Sequence, residues 1–172
     1  MYKVESYAKP YARIVDGDTY ASDFLANSRA EGELIAVSMN QPEMLAALAE
    51  YRFKVETLDG LELEDGLRIL TDRESQAQLN SAYTTLKYGL IPDTDWKAAN
   101  GWQVVSLEQM EPIARALAAH VRGCFRGERT VGTAITSATT MAQIEAINIQ
   151  AQFMAAYQAA VAEVMTPEQA PE

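Results

Sequence analysis

A single cysteine, Cys124, in a chain of 172 residues excludes any intrachain disulfide and fits a reducing cytoplasm, where free thiols persist. Basic charge is scarce as well. With 14 basic against 24 acidic residues the net charge is −10, which opposes binding to nucleic-acid phosphates and to anionic membranes. Long apolar runs are missing: the charge-free stretch 146–162 is interrupted by Asn148, Gln150, Gln152 and Gln158. It falls short of the roughly 20 apolar residues that span a bilayer, so membrane insertion is not expected. Met1 to Tyr7 holds neither the apolar core nor the small-residue cleavage site of a signal peptide. There is no glycine-rich phosphate loop and no Gly-x-Ser-x-Gly elbow, so no catalytic residue and no cofactor is assigned. What is there, 48% apolar and 22% charged residues, describes an ordinary globular chain with one main core.

Residues 1–39 read as an N-terminal arm or a small β segment. Asp16-Gly17 between residues 11–15 and 18–20 suggests a short hairpin, because Asp-Gly supplies the positive φ angles of tight turns. Glu33 to Met39 reads as another strand, or the whole section is an extended arm that orders only against a partner. The main domain spans 40–166. Asn40-Gln-Pro-Glu43 offers a cap, an early proline and a first-turn acid for a short helix carrying Met44, Leu45, Leu48 and Tyr51. Alternation then appears at Phe53, Val55 and Thr57, at Leu61 and Leu63, and at Leu67 and Ile69, with turns at Asp59-Gly60 and Asp65-Gly66. This predicts a small antiparallel meander with one apolar and one acidic face.

Thr71-Asp-Arg-Glu74 has the pattern of a capping box and opens a helix that ends near Gly89. Asn100-Gly101 marks a β-hairpin with Trp96 and Val105 on one side and Trp102 and Val104 on the other. Ser106-Leu-Glu-Gln109 opens a second helix whose stripe is Met110, Ala114, Leu117, Val121, Cys124 and Phe125, with the glycines at 123, 127 and 132 loosening its end. A long alanine-rich C-terminal helix opens at Thr140-Met-Ala-Gln143, and 167–172 read as a flexible tail. The expected fold class is therefore α+β: a small meander and a hairpin packed with several helices.

From Thr140 to Met165 only Glu145 and Glu163 are charged. Such a helix is either buried in the protein's own core or forms a partner or self-association surface, with homo-oligomerisation as one form of it. Ile147, Met154, Ala155, Tyr157, Ala159 and Val161 are the candidate interface residues.

Chemical constellations are thin. His120 and Cys124 lie four apart on one helix with Glu128 beyond, but two nitrogen or sulfur ligands are too few for structural zinc, so no metal site is assigned. Cys124 falls on the apolar stripe and His120 reads as a boundary residue; nothing nearby supplies an oxyanion hole or an orienting third group. Glu56, Glu62, Glu64 and Asp65 form the densest acidic cluster and read as a solvated strand face. Trp96 and Trp102 would stack on a sugar ring or, more simply, fill the core.

The segment from Tyr51 to Glu128 resembles a domain of unknown function found in small proteins encoded beside tail-fibre genes of phages and prophages. The features that carry the resemblance are Gly66 with the strand after it, Thr71-Asp-Arg-Glu-Ser-Gln-Ala77, Trp96-Lys97 with Asn100-Gly101-Trp102, and the helix containing His120-Val-Arg-Gly-Cys-Phe125. The resemblance implies a non-enzymatic virion component of the tail, baseplate or tail-fibre attachment region, made in the bacterial host cytoplasm and acting through contacts with tail proteins. The alternative it leaves open is a tail-fibre assembly chaperone that is not retained in the particle.

Overall fold

A computed structural model describes residues 1–63, 66–98 and 101–166, which form seven strands and five helices. The class is α+β, as the alternating and helical patterns predicted. The described chain divides into two compact units, Met1–Glu50 with Glu128–Gln152, and Tyr51–Gly127 with the segment from Phe153 onward.

The first unit is built on a three-stranded antiparallel meander, β1 (Tyr2–Ala8), β2 (Tyr11–Asp16) and β3 (Thr19–Leu25), in the order β1-β2-β3. Asp16 pairs with Thr19, and Gly17 takes φ 59°, the left-handed geometry that the Asp-Gly signal anticipates. The meander expected at 53–69 thus lies at the N-terminus instead. Residues 33–39 are not a strand: α1 runs unbroken over Arg29–Thr57. Pro42 lies inside it rather than at its start. Proline removes one N–H from the helical ladder, and the orphaned carbonyl belongs to Ser38, an exposed residue that water reaches.

Asn40, expected to cap a helix, is buried in mid-helix and works as an extra rung for the sheet. Its Oδ1 accepts from the Tyr2 N–H at 2.8 Å while its Nδ2 donates to the Tyr2 carbonyl at 2.8 Å and to that of Ala36 at 2.9 Å. Val4, Ile14 and Ala36 form the core beneath the sheet, and Val37, Ala138 and Ile144 a second cluster. Here α3 (Leu107–Ser137) ends, and Gln41 Nε2 donates to the terminal carbonyl of Ile135 at 3.0 Å.

In the second unit the alternation at 53–57 is overruled. Val55 stands four residues after Tyr51 and seven after Leu48, a helical register, and it is buried in the last turns of α1. Of the expected meander, β4 (Leu61–Glu62) and β5 (Arg68–Ile69) pair as strands among the described residues, Leu61 opposite Ile69. The predicted turn at Asp65-Gly66 falls partly outside the described residues, as do Glu64 and Asp65 of the acidic cluster. The next helix, α2 (Arg73–Lys87), is capped one residue later than expected. Asp72, not Thr71, accepts from the Glu74 and Ser75 N–H groups, both at 3.0 Å. Its end is a Schellman motif: Leu90 N–H donates to the Thr85 carbonyl and Gly89, at φ 67°, to that of Leu86.

The hairpin of β6 (Asp93–Ala98) and β7 (Gly101–Ser106) pairs Ala98 with Gly101, and its connection, including Asn100, lies outside the described residues. Trp96 and Val105 face the core with Leu79, Leu86, Met110 and Leu117, as expected, while Trp102 and Val104 point outward. Ser106 N–H donates to Gln109 Oε1 at 3.0 Å, one half of the predicted box that opens α3. The C-terminal helix is two pieces, α4 (Met141–Glu145) and α5 (Ile149–Met165). Thr140 and Gln143 make a full capping box, and Asn148 caps α5 by accepting from the Ala151 N–H at 3.0 Å. That side-chain competition for backbone donors at 148 interrupts what the alanine-rich composition suggested was continuous. The expected flexible tail, 167–172, lies outside the described residues.

Candidate functional site

The glycines expected to loosen α3 do the opposite. Gly123 and Gly127, one turn apart in an unbroken helix, form a trough for α5. A Cβ on Gly127 would stand 2.8 Å from Cδ2 of Phe153, and one on Gly123 would stand 2.7 Å from Cδ2 of Tyr157 and 3.0 Å from Val161. Phe153 and Tyr157 are themselves one turn apart, so two rings of α5 fill the space that two missing side chains leave. Phe153 is wholly buried, and its ring meets Tyr51 edge-on at 5.1 Å between centroids. Arg122 adds a polar tie, donating to the Ala160 carbonyl at 2.7 Å and to the Glu163 carboxylate. That hydrogen bond and the guanidinium charge hold the Glu163 carboxyl below its usual range.

Beside the trough lies a buried polar cluster. His120, read from sequence as a boundary residue, is only 2% exposed. One ring nitrogen, Nδ1, is 2.9 Å from the Tyr157 hydroxyl and the other, Nε2, is 3.2 Å from the Glu56 carbonyl. A carbonyl oxygen can only accept, so Nε2 carries the proton and the bare Nδ1 accepts from the tyrosine. Burial pushes the His120 pKa below its ordinary value, against the opposing pull of the Glu56 backbone and carboxylate, which keeps the ring neutral.

Cys124 Sγ lies 3.9 Å from Nε2 and is fully buried. Burial first, and the Glu56 charge second, push its thiol up to about 12. The Tyr157 hydroxyl is likewise pushed up to about 12 by burial. A thiol held protonated beside an imidazole that already donates elsewhere is the reverse of an activated cysteine nucleophile. Among the described residues no group of three or more His, Cys, Asp or Glu side chains could hold a metal ion.

Glu56 corrects the reading of a solvated acidic face. Because residues 53–57 are helical, its carboxylate turns inward, is 0% exposed, and is paired with Arg52 one turn earlier and with Arg73 of α2 at 2.9 Å. Arg52 also stacks over Phe125, its carbon 5.2 Å from the ring centroid, and Phe125 sits at the surface rather than on the expected core stripe. Thr71 is buried in the same unit, and among the described residues its hydroxyl has no hydrogen-bond partner. Sequence reading missed Arg52, and met Arg73 only as part of a capping motif and not as a partner of Glu56. The signals were an Arg52–Glu56 pair at i, i+4, legible only once residues 53–57 are known to be helical, and a Gly-x-x-x-Gly spacing within a helix already expected.

Against this cluster opens a cavity of about 670 Å³. Leu61, Leu63, Val105 and Ile113 belong to its apolar lining, Glu62, Gln103, Gln109, His120 and Tyr157 to its polar lining, and Val161 and Met165 join it from α5. Its size falls in the range that accommodates an apolar side-chain cluster or a small molecule. The candidate interface residues divide within their helix. Ala155 and Ala159 are exposed, Met154 is half-buried, Tyr157 and Val161 are engaged with α3, and Ile147 sits half-buried in the break before α5. A second outward feature is Trp102, 71% exposed, with Lys97 Nζ 5.6 Å from its ring and Val104 beside it. Core filling therefore accounts for Trp96 and not for Trp102.

Residues 39–152 match the family described as Domain of unknown function (DUF4376). That span is more than half of the chain, and the protein belongs to this family. No curated protein and no solved structure matches the chain. No helix of the described residues is long and apolar enough to cross a membrane.

Proposed function

We propose that this protein is a non-enzymatic component of a phage tail, baseplate or tail-fibre attachment region and acts through contacts with other tail proteins. The observation that carries the reading is the division of labour among the residues behind the phage resemblance. His120 and Cys124 are consumed by the core, Asp72 by a helix cap and Arg73 by an ion triad around the buried Glu56, while Trp102 is exposed. Reactive groups are spent on holding the fold, and an exposed tryptophan beside an aliphatic residue suits a docking surface. A chain of net charge −10 also disfavours self-aggregation and nucleic-acid binding.

Quantitative mass spectrometry of purified particles from the phage that encodes the chain tests the proposal. A constant ratio to a major tail protein supports a virion component. Absence from intact particles, together with an insoluble fibre protein when the gene is deleted, replaces it with the assembly-chaperone reading.

A further inference from the structure

Tyr157 and His120 line the 670 Å³ cavity and, beside the Arg122 tie, form a polar joint between α5 and the rest of its unit. The joint as it stands uses the neutral ring. In the neutral ring, Nε2–H donates to the Glu56 carbonyl of α1 and bare Nδ1 accepts the Tyr157 proton. A second proton on Nδ1 would face the hydroxyl hydrogen, so the tyrosine would have to reverse the bond, accepting from the ring and turning its own hydrogen away. We propose that His120 is a proton-operated latch: protonation of its ring releases residues 153–165 of α5 and opens the cavity that this segment walls.

The charged and titratable groups around the ring do not offset that cost. From α1, Glu56 faces it, but Arg52 and, from α2, Arg73 already neutralise that carboxylate. Asp59, in the turn after α1, bonds to Lys54 at 2.7 Å. From α3 comes Cys124, which stays a neutral thiol, and from α5 come Tyr157, neutral as well, and Glu163, held by Arg122. Across the cavity β4 contributes only Glu62. Among the described residues no carboxylate hydrogen-bonds the ring, so an imidazolium in the closed form has no direct acidic partner there. In the released form the ring meets water and regains an ordinary pKa of about 6.5. The burial-lowered affinity of the closed ring for protons acts in the same direction. Opening therefore becomes about tenfold more favourable per pH unit below 6.5, until the closed ring also titrates.

His120 is the one histidine in the chain, so its ring is observed without ambiguity. Long-range ¹H–¹⁵N spectra of the full chain at pH 7.5 should show a protonated Nε2 and a bare Nδ1; the other tautomer overturns the latch. Amide exchange at pH 7.5 and 5.0, corrected for intrinsic rates, should then show protection at 153–165 falling by about tenfold or more while residues 11–16 keep theirs. Unchanged protection, or an equal loss in both segments, overturns it. His120→Gln, which does not titrate, should remove the pH response, and a response that survives there assigns the effect to carboxylates and ends the proposal. If that variant does not fold, the tautomer and the wild-type exchange pattern decide.

Discussion

Three glycines of α3 should respond to the same substitution with opposite signs. Replacing a helical glycine by alanine gains about 1 kcal/mol of helix propensity at any of them. At Gly132 nothing opposes that gain, since the new Cβ meets Leu48 at 3.7 Å and Leu45 at 3.8 Å, ordinary contact. At Gly127 the Cβ arrives 2.8 Å from Cδ2 and 2.9 Å from Cε2 of Phe153, well inside the roughly 3.5–4.0 Å optimum for carbon pairs. Phe153 is 0% exposed and pinned edge-on by Tyr51, so the ring cannot swing clear. Overpacking of that kind costs about 1–3 kcal/mol. The difference between Gly127→Ala and Gly132→Ala cancels helix propensity and leaves the steric term, so Gly132→Ala should be the more stable by about 1–3 kcal/mol. For a chain of this size the melting temperatures should lie roughly 2–12 °C apart. Urea unfolding with unchanged slopes measures the same difference at constant temperature. Equal stabilisation by both substitutions would refute the trough and make the glycines incidental.

Other perturbations test the cluster beside the trough and the surface beyond it. Cys124, with a folded pKa raised above its ordinary value to about 12, contributes stability that is present below pH 9 and is lost as pH rises from 9 towards 12; urea midpoints should fall across that window. At pH 8 its alkylation should be slowed on the order of a thousandfold relative to the urea-unfolded chain, and labelling at the unfolded rate would contradict the burial. Glu56→Ala removes the acid between two guanidiniums and should cost about 3–5 kcal/mol in urea unfolding, whereas a loss below about 1 kcal/mol would mean that water screens the triad. Ala155→Glu with Ala159→Glu places charge on exposed positions of α5 and should leave the melting temperature within a few degrees while abolishing co-purification with a tail protein if the proposed role holds. Retained association removes that face from consideration.

How far the sequence could be read depends on the range of the interaction that decides each element. Local chemistry was legible: the Asp-Gly turn at 16–17, the Thr140–Gln143 box, the stop at Gly89 and the facing of Trp96 against Trp102 each depend on residues a few positions apart. Segments decided by packing were not. Pro42 and Asn40 carry strong start signals, yet burial of Ala36 and Val37 keeps the helix running through both, and Asn40 finds its partners 38 residues away on Tyr2. The five-residue alternation at 53–57 is too short to outweigh the helical register it shares with Leu48 and Tyr51. Once that segment was taken for a strand, Glu56 had to be placed in water, and the Arg52–Glu56–Arg73 triad became invisible.

The same error explains why the candidate site was the least legible part. Its members come from α1, α2, α3 and α5, and none is a motif in its own segment. His120 and Cys124 look like a weak metal pair until Tyr157, 37 residues on, is seen to occupy the histidine. The glycines look like defects until Phe153 fills them. Each residue's chemistry is set by a neighbour that sequence distance hides, and each neighbour turns a reactive group into a structural one. The outward candidates are chemically plain: Trp102 flanked by Lys97, and Ala155 and Ala159 on a helix. Specificity on such surfaces comes from shape and burial against a partner, so the information that names the partner lies as much in the partner's surface as in this chain.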